Sequence, residues 1–275
     1  MPEGDSIHRA ARILRPQLLG QTLVEVRLRD RGPVSALAGR AVTDVAALGK
    51  HLLVHVDGGW VVRSHLGMRG SWHSYAPDEA WRRPQSAAVL VLATAERIFI
   101  AFEAREAELL RASDLRIHPQ LSALGPDLLG ESPDLGAVVA RARDQCVRDT
   151  EIGELLLDQR VAAGIGNVLK CETLFIERAD PWSRLGALGD EALLALYATA
   201  RRLMLQSMAL GRRITVGRPA PGLPLRRGQP EHWVYGRRGR PCLVCGGRVD
   251  ARAQGVHART TYFCAVCQPA ITHAP

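Results

Sequence analysis

The sequence predicts an α+β protein with an N-terminal antiparallel β domain, a helical domain and a C-terminal metal-bound hairpin. Apolar and polar residues alternate through much of the first 120 residues, which is typical of half-buried strands. After Leu124-Gly125-Pro126, apolar residues recur every three or four positions, which favours helices. Near the C-terminus, two Cys-x-x-Cys pairs are separated by 18 residues, a spacing typical of four-thiolate zinc sites.

The β domain should begin with a helix over residues 6–19. Asp5 or Ser6 is its expected N-cap, and Pro16 should kink or shorten its last turn. The period changes to two at Thr22, where the first strand is predicted. Further strands are predicted at 40–48, 51–56, 60–65, 87–94 and 97–102. Asp57-Gly58-Gly59 is a hairpin signal between two of them.

The second half should contain four helices. They are predicted at 135–145, 151–161, 167–178 and 190–210. A glycine-rich turn at 163–167 precedes the third helix, and its exposed backbone N–H groups are candidates for binding a phosphate, although such turns often only reverse the chain. Residues 212–232 are rich in Arg, Gly and Pro, so we predict a mobile basic linker or a loop that faces the bound substrate.

Charge is distributed unevenly along the 275 residues. Residues 201–275 contain 13 arginines and only two acidic residues, whereas the first 200 residues are slightly acidic. This asymmetry favours a polyanionic partner such as nucleic acid or a membrane surface, the alternative being a solvated tail in an arginine-biased sequence. No apolar run is long enough to span a membrane and no signal core is apparent, so a cytoplasmic location is expected. Lys50 and Lys170 are the only lysines.

The first five residues, Met1-Pro2-Glu3-Gly4-Asp5, suggest covalent chemistry. Removal of Met1 would leave Pro2 with a free secondary amine, and α-amino groups have a pKa near about 8. Such an amine attacks aldehyde-like carbons to give a Schiff base, and Glu3 is placed to move the protons. Taken alone, a Met-Pro start is more often only a frayed terminus.

The C-terminal cysteines predict one structural zinc ion per chain. Its ligands would be Cys242, Cys245, Cys264 and Cys267, which fill all four tetrahedral positions. Two disulfides are the less favoured alternative in a cytoplasmic protein. Cys146 and Cys171 fall outside this spacing and should be packing residues.

These features, with several further motifs, resemble the bacterial formamidopyrimidine-DNA glycosylase/endonuclease VIII family, and the Pro-Glu-Gly opening is similar to its endonuclease VIII branch. The resemblance covers nearly the whole chain. It rests on the following residues in order: Pro2-Glu3-Gly4, Gly49-Lys50-His51-Leu52-Leu53, His65-Leu66-Gly67-Met68-Arg69-Gly70-Ser71, residues 157–168, Glu172, Val234-Tyr235-Gly236-Arg237 and Arg259 with the zinc hairpin.

The resemblance implies three domains: a catalytic β-sandwich domain with flanking helices (1–121), a helix–two-turns–helix DNA-binding domain (126–215) and a four-cysteine zinc finger (233–271). It also implies roles for single residues. Pro2 would be the nucleophile, Glu3 the general acid/base, and Lys50 a group near the reacting sugar and its phosphates. Phosphate contacts are implied for Asn167 and Arg259, a supporting role for Glu172, and filling of the gap in the duplex for Met68.

The implied function is a bifunctional DNA glycosylase/AP lyase of base excision repair, acting on oxidised pyrimidines in double-stranded DNA by β,δ-elimination. We expect a monomer that needs no small-molecule cofactor. The alternatives are an 8-oxoguanine/formamidopyrimidine glycosylase and a non-catalytic zinc protein that binds damaged DNA. Three departures bear on the lesion preference: Asp5-Ser6 replaces Pro-Glu, residues 98–110 lack the Arg-x-Phe intercalating loop of the formamidopyrimidine branch, and Arg69 occupies a variable position.

Overall fold

A computed structural model describes residues 1–217 and 229–270 of the chain, which divides into two compact units at residues 123 and 124. The middle of the predicted basic linker, 218–228, lies outside the described residues. In the described part, no helix is both long and apolar enough to cross a membrane.

The N-terminal unit is built from two antiparallel sheets and a leading helix. The helix α1 spans Gly4–Leu18 and the short helix α2 spans Pro119–Ser122. The strands are β1 (Leu23–Leu28), β2 (Gly32–Pro33), β3 (Val42–Leu48), β4 (His51–Val56), β5 (Trp60–His65), β6 (Ser71–Tyr75), β7 (Ala88–Thr94), β8 (Ile98–Phe102) and β9 (Glu106–Arg111). One sheet has the order β2-β1-β7-β8-β6 and the other β3-β4-β5-β9.

A single hydrophobic core lies between the two sheets. Leu90 and Phe99 of the first sheet belong to the same buried cluster as Leu52 and Val62 of the second. The helix α1 adds an apolar stripe that includes Ile7, as its three-to-four-residue spacing predicts. Burial of both inner faces by one cluster makes this unit a β-sandwich, and the predicted α+β class is confirmed.

Most predicted elements of the sandwich occur within two residues of their expected bounds, but two details were wrong. The helix begins at Gly4 with Glu3 as its N-cap, so neither Asp5 nor Ser6 caps it. The helix ends at Leu18, two residues after Pro16 and one residue before the predicted end, which is consistent with the predicted shortening of its last turn. The second wrong detail is that β2, β6 and β9 were not predicted: β2 is only two residues long, and β9 carries the charged residues Glu106 and Glu108.

The second unit is helical and then forms a small hairpin. Its helices are α3 (Leu135–Gln145), α4 (Ile152–Leu155), α5 (Asn167–Ile176) and α6 (Asp190–Leu210). The long helix α6 ends as predicted at Gly211, whose φ of 71° is the left-handed conformation of a helix C-terminus. The hairpin strands are β10 (Asp250–Gln254) and β11 (Arg259–Phe263).

The helix predicted at 151–161 was too long, since it stops at Leu155. A carboxylate oxygen of Asp158 accepts the backbone N–H of Arg160 at 2.9 Å, and this local bond competes with helical hydrogen bonding. The chain then turns while Val161 and Ala162 remain buried in the helical core. The apolar periodicity therefore reflected burial rather than helix.

Candidate active site and nucleic-acid interface

The first residues of the chain form the start of α1. The carbonyl of Glu3 accepts the backbone N–H groups of Ser6 and Ile7 at 2.9 and 3.2 Å, as expected of an N-cap residue. The Glu3 side chain is fully buried, whereas Pro2 is half-buried. The predicted nucleophile and the predicted acid/base thus lie on consecutive residues at the positive end of a helix dipole.

Lys50 lies in the two-residue turn that joins β3 to β4. Leu48 and His51 are the last paired residues, so Gly49 and Lys50 form the loop itself. Gly49 has a φ of 58°, and glycine is favoured in this position of a tight hairpin because it carries no Cβ. The sequence therefore presents the half-buried Lys50 at the apex of a rigid turn.

Met68 lies in the tight loop between β5 and β6. Gly67 adopts a left-handed φ of 66°, and a Cβ on Gly70 would lie 2.4 Å from the Leu66 carbonyl oxygen. Both glycines are therefore needed for the loop to close. Met68 is 63% exposed, so it is not core filler. Its exposed apolar side chain suits insertion between bases.

In the second unit, α5 holds the strand β11 through three contacts along one helix face. Asn167 Nδ2 donates to the Thr260 carbonyl at 2.7 Å, and Lys170 Nζ donates to Thr261 Oγ1 at 2.6 Å. The backbone N–H of Tyr262 lies 3.4 Å from the sulfur of Cys171. Two of the predicted site residues are thereby brought together, because Arg259 begins the strand that Asn167 binds.

A cavity of about 730 Å³ lies between the hairpin and the helices of the second unit. Its lining includes the cations Arg160, Lys170 and Arg259 together with the acidic residues Asp149, Glu154 and Asp158. Arg259 itself is exposed, while Asn167 is nearly buried and its Oδ1 has no hydrogen-bond partner. Arg160 pairs with Asp158 and Lys170 is fully buried, so the exposed Arg259 is the lining cation best placed to reach a nucleic-acid backbone.

The glycine-rich turn at 163–167 differs from the prediction of exposed N–H groups. Its residues are buried, and two of its amides are already used inside the protein. The N–H of Gly164 donates to Gln159 Oε1 at 3.0 Å, and that of Ala163 donates to the Pro126 carbonyl at 2.9 Å. The turn therefore serves to start α5 at Asn167.

Glu172 is a fully buried carboxylate that binds backbone rather than solvent. It accepts the backbone N–H groups of Trp233, Val234 and Tyr235 at 2.7 to 3.0 Å, and the hydroxyl of Thr215. These bonds fix the chain on both sides of residues 218–228. Glu172 thus supports the surrounding segments and exposes no oxygen to a ligand.

The four predicted zinc ligands converge on one point. Their sulfur atoms all lie within 4.8 Å of one another, with 3.8 Å between Cys242 and Cys267 and 3.5 Å between Cys245 and Cys264. A tetrahedral ion with Zn–S bonds of about 2.3 Å separates its sulfurs by about 3.8 Å, so the cluster fits zinc. All six cysteines are free of disulfides.

Sequence reasoning assigned no role to two buried cations. Lys170 was noticed only as one of two lysines, and Arg63 of β5 was not noticed at all. An arginine inside the apolar run of β5 was the available signal, because a buried guanidinium requires partners. Burial and the Arg63 guanidinium lower the pKa of the neighbouring His51 to about 2.

Family models match both units. The formamidopyrimidine-DNA glycosylase N-terminal domain matches residues 1–117, and the H2TH domain of the same enzyme matches residues 124–217. The chain is 39% identical over 274 residues to a probable endonuclease 8 2 of Streptomyces coelicolor, covering 98% of this chain and 94% of the relative. It is 35% identical to the DNA-(apurinic or apyrimidinic site) lyase Nei2 of Mycolicibacterium smegmatis, covering 98% of this chain and 100% of the relative.

Formamidopyrimidine-DNA glycosylases are also similar to this chain. The enzyme of Thermus thermophilus is 35% identical, with 98% of each chain covered. The crystal structure of the Lactococcus lactis enzyme with abasic-site DNA has a TM-score of 0.80 at 22% identity, covering 98% of this chain and 100% of the other, so the fold is shared. The matches to both units show that this chain belongs to the formamidopyrimidine-DNA glycosylase/endonuclease VIII family of DNA glycosylases and AP lyases.

Proposed function

We propose that this protein is a bifunctional DNA glycosylase/AP lyase of base excision repair. It removes oxidised bases, preferentially pyrimidines, from double-stranded DNA and cuts the strand by β,δ-elimination. The observation that carries the proposal is the placement of Glu3, a fully buried carboxylate next to Pro2 at the start of α1. A binding module has no need for this pairing of a terminal amine with a desolvated carboxylate.

In the proposed reaction, the Pro2 amine attacks C1′ of the damaged nucleotide and the bond between C1′ and the base breaks. Glu3 accepts the proton that the Pro2 amine loses, or donates the proton that the departing base gains. The C1′–O4′ bond then breaks as O4′ takes a proton, which leaves an iminium between Pro2 and C1′. The iminium acidifies C2′, so loss of a proton from C2′ expels the 3′ phosphate. Loss of the C4′ proton then expels the 5′ phosphate. Water finally releases the sugar fragment and regenerates the amine.

The amine exists only after Met1 has been removed, since Met1 otherwise acylates the Pro2 nitrogen. An amide nitrogen shares its lone pair with the carbonyl and cannot form an iminium. Met1 is 39% exposed at the end of the chain. Its exposure supports removal by an aminopeptidase, which the mechanism requires.

The proposed DNA contacts use both units. Asn167 and Arg259 bind phosphates beside the flipped nucleotide, Lys50 lies near its sugar, and Met68 fills the gap in the duplex. The exposure of Met68 and of Arg259 supports these roles. Flipping a base costs a few kcal/mol, which phosphate contacts and an apolar insertion offset.

The preference for oxidised pyrimidines is supported by the connection between β8 and β9. Only Glu103, Ala104 and Arg105 join these strands, which leaves no room for an inserted Arg-x-Phe loop like that of the formamidopyrimidine branch. The relative with 39% identity is named an endonuclease 8. The 35% identity to a formamidopyrimidine-DNA glycosylase keeps 8-oxoguanine as the second candidate substrate.

One zinc ion bound by the four cysteine thiolates would hold the hairpin in its folded form. The cluster Cys242, Cys245, Cys264 and Cys267 leaves no open coordination position, so the ion would be structural. The β10–β11 hairpin buries few residues of its own, and the ion supplies the missing folding energy.

A lesion panel tests the proposal. Duplexes carrying thymine glycol, 8-oxoguanine or an abasic site are incubated with the protein in borohydride, and covalent complexes are resolved by mass. We expect trapping on the abasic site and on thymine glycol, with weaker trapping on 8-oxoguanine. Stronger trapping on 8-oxoguanine would favour the second candidate. Binding of all three duplexes without any trapping would mean that the chain is a non-catalytic binder.

A further inference from the structure

Arg63 is a fully buried arginine on β5, and it ranks among the largest fully buried side chains in the described residues. A buried guanidinium is costly unless its charge is paired and its N–H groups find acceptors. It points to the side of its sheet opposite the hydrophobic core, since its neighbour Val62 belongs to that core. The residues that accept its hydrogen bonds therefore show which elements Arg63 holds together.

The acceptors of Arg63 come from three elements. Nε donates to His51 Nδ1 on β4 at 3.2 Å, and Nη2 lies 2.9 Å from the same nitrogen. Nη2 also donates to Glu106 on β9 at 3.0 Å, and Nη1 donates to Glu108 on the same strand. A further bond from Nη2 reaches Gln120 on α2. One side chain thus cross-links β4, β9 and α2.

The network adjoins both loops to which the proposed function assigns DNA contacts. His51 follows Lys50 directly in the chain and pairs with His65 across β4 and β5. The rings of His51 and His65 lie 4.9 Å apart. Since His65 is the last residue of β5, the loop that carries Met68 begins at the next residue. Arg63 therefore contacts the base of one loop and lies two residues from the base of the other.

Neither His51 nor His65 adds a positive charge beside Lys50 at pH 7. Burial, followed by Arg63, lowers the pKa of His51 to about 2, and burial lowers that of His65 to about 4 despite the opposing effect of Glu106. Both rings are neutral at pH 7. Because His51 Nδ1 accepts from Arg63, its proton resides on Nε2.

We propose that Arg63 is a positioning residue that aligns the Lys50 turn and the Met68 loop through the His51–His65 pair. This inference rests on the proposed function, because the two loops act on DNA only if the chain is a glycosylase/AP lyase. Without the guanidinium, Glu106 and Glu108 lose the cation that holds β9 to β4. The ends of β4 and β5 then lose their alignment, although every residue that touches DNA is still present.

Arg63→Lys is the direct test, because a single ammonium cannot reach acceptors on three elements at once. With a saturating abasic-site duplex under single-turnover conditions, we expect strand cleavage to slow at least about tenfold, as for a small misplacement of reacting groups. Affinity for a non-cleavable abasic analogue should fall by less than the cleavage rate does, because the proposed phosphate contacts of Asn167 and Arg259 lie in the second unit and are unchanged. The fluorescence of 2-aminopurine opposite the abasic site should report weaker Met68 insertion.

Arg111→Lys is the matched control. Arg111 lies on β9 at the other end of the same sheet, where its guanidinium stacks 3.3 Å from the centre of the Trp60 ring. It is exposed and remote from the His51–His65 pair. We expect wild-type cleavage and wild-type 2-aminopurine fluorescence from this variant.

If the thermal transition shows that Arg63→Lys does not fold, two variants of His51 provide the test instead. His51→Asn keeps an acceptor for Arg63 and should retain cleavage within about threefold, whereas His51→Leu removes the acceptor and should lose at least about tenfold. Wild-type rates for Arg63→Lys in a cleaving preparation, or equal losses in the two His51 variants, would overturn this inference alone. A wild-type protein that cuts no abasic site would overturn the proposed function, and this inference with it.

Discussion

The ammonium of Lys170 donates a hydrogen bond of 2.6 Å to the hydroxyl of Thr261, and both side chains are fully buried. The Thr261 hydroxyl donates in turn to Gln254 Oε1 at 2.7 Å. Because Arg259 begins the same strand as Thr261, this chain of bonds fixes the strand of the proposed phosphate clamp against α5. A lysine is suited to this position because it is a compact donor that a guanidinium would not replace.

Thr261→Val should therefore destabilise the second unit. It removes the acceptor of a buried ammonium and the donor to Gln254, so we expect the free energy of unfolding to fall by about 2 kcal/mol. Urea unfolding measures the change. Thr260→Val is the matched control, since Thr260 is exposed and contributes its carbonyl rather than its hydroxyl to Asn167. Equal stability of the two variants would mean that the bond to Lys170 contributes nothing.

Loss of zinc should strongly weaken DNA binding while the sandwich stays folded. Cys264→Ser removes one thiolate of a closed site, and we expect the zinc content to drop and the affinity for an abasic-site duplex to fall at least about tenfold. Elemental analysis and fluorescence anisotropy are the measurements. Cys146→Ser is the control, because Cys146 lies outside the cluster. If metal-free protein bound the duplex normally, the hairpin would not carry the clamp.

Stability should decline as the pH falls below the ordinary pKa of histidine. The folded state keeps His51 and His65 neutral because their pKa values are lowered to about 2 and about 4, while the unfolded chain protonates both near about 6.5. The unfolded state thus binds more protons, and each histidine contributes a loss of up to about 1.4 kcal/mol per pH unit between about pH 6 and its folded pKa. The lowered pKa of Glu106 adds to this loss only below about pH 4.5.

Urea unfolding of the wild type and His51→Asn at pH 7, 6 and 5 checks this pH dependence. The variant should show a shallower decline, because the unfolded state gains one proton fewer relative to the folded state. Identical slopes would show that His51 takes up a proton in the folded protein as readily as in the unfolded chain. Such a result would also contradict the hydrogen bond from Arg63 to a neutral His51 ring.

Arg259→Ala and Glu3→Gln should separate DNA binding from chemistry. The first removes a phosphate contact, so it should weaken binding to every lesion and lower the salt-dependence slope by about one. The second leaves the charge pattern of the DNA-binding surface nearly unchanged and should lose base excision by about a hundredfold or more, as for a general acid/base. Wild-type excision of thymine glycol by Glu3→Gln would show that the carboxylate is not the acid/base.

The fold was largely predictable because its elements carry regular apolar patterns. The strands β4 and β5 and the helices α3 and α6 lie at the residues predicted from apolar periodicity and from the residues that begin and end each element. The convergence of the four cysteines was predictable for a different reason, since the spacing of two Cys-x-x-Cys pairs is typical of one four-thiolate site. The helix at 151–161 failed because apolar periodicity cannot distinguish a buried turn from a helix.

The interior of the candidate site could not be read from the sequence. Burial of Glu3, saturation of Glu172 by backbone amides and the acceptors around Arg63 all depend on residues distant in the chain. Glu106 and Glu108 were assigned no role from the sequence, because the strand that carries them was not predicted. Only the pairing of β9 with β5 brings them to Arg63. Long-range contacts of this kind leave no local signal.

The central claim is that Pro2 is the nucleophile. Borohydride trapping on an abasic-site duplex, followed by proteolysis and mass spectrometry, locates the bond between protein and sugar. We predict an adduct on a peptide that begins at Pro2, with Met1 absent. An adduct on Lys50 or Lys170, or active protein that retains Met1, would contradict the mechanism.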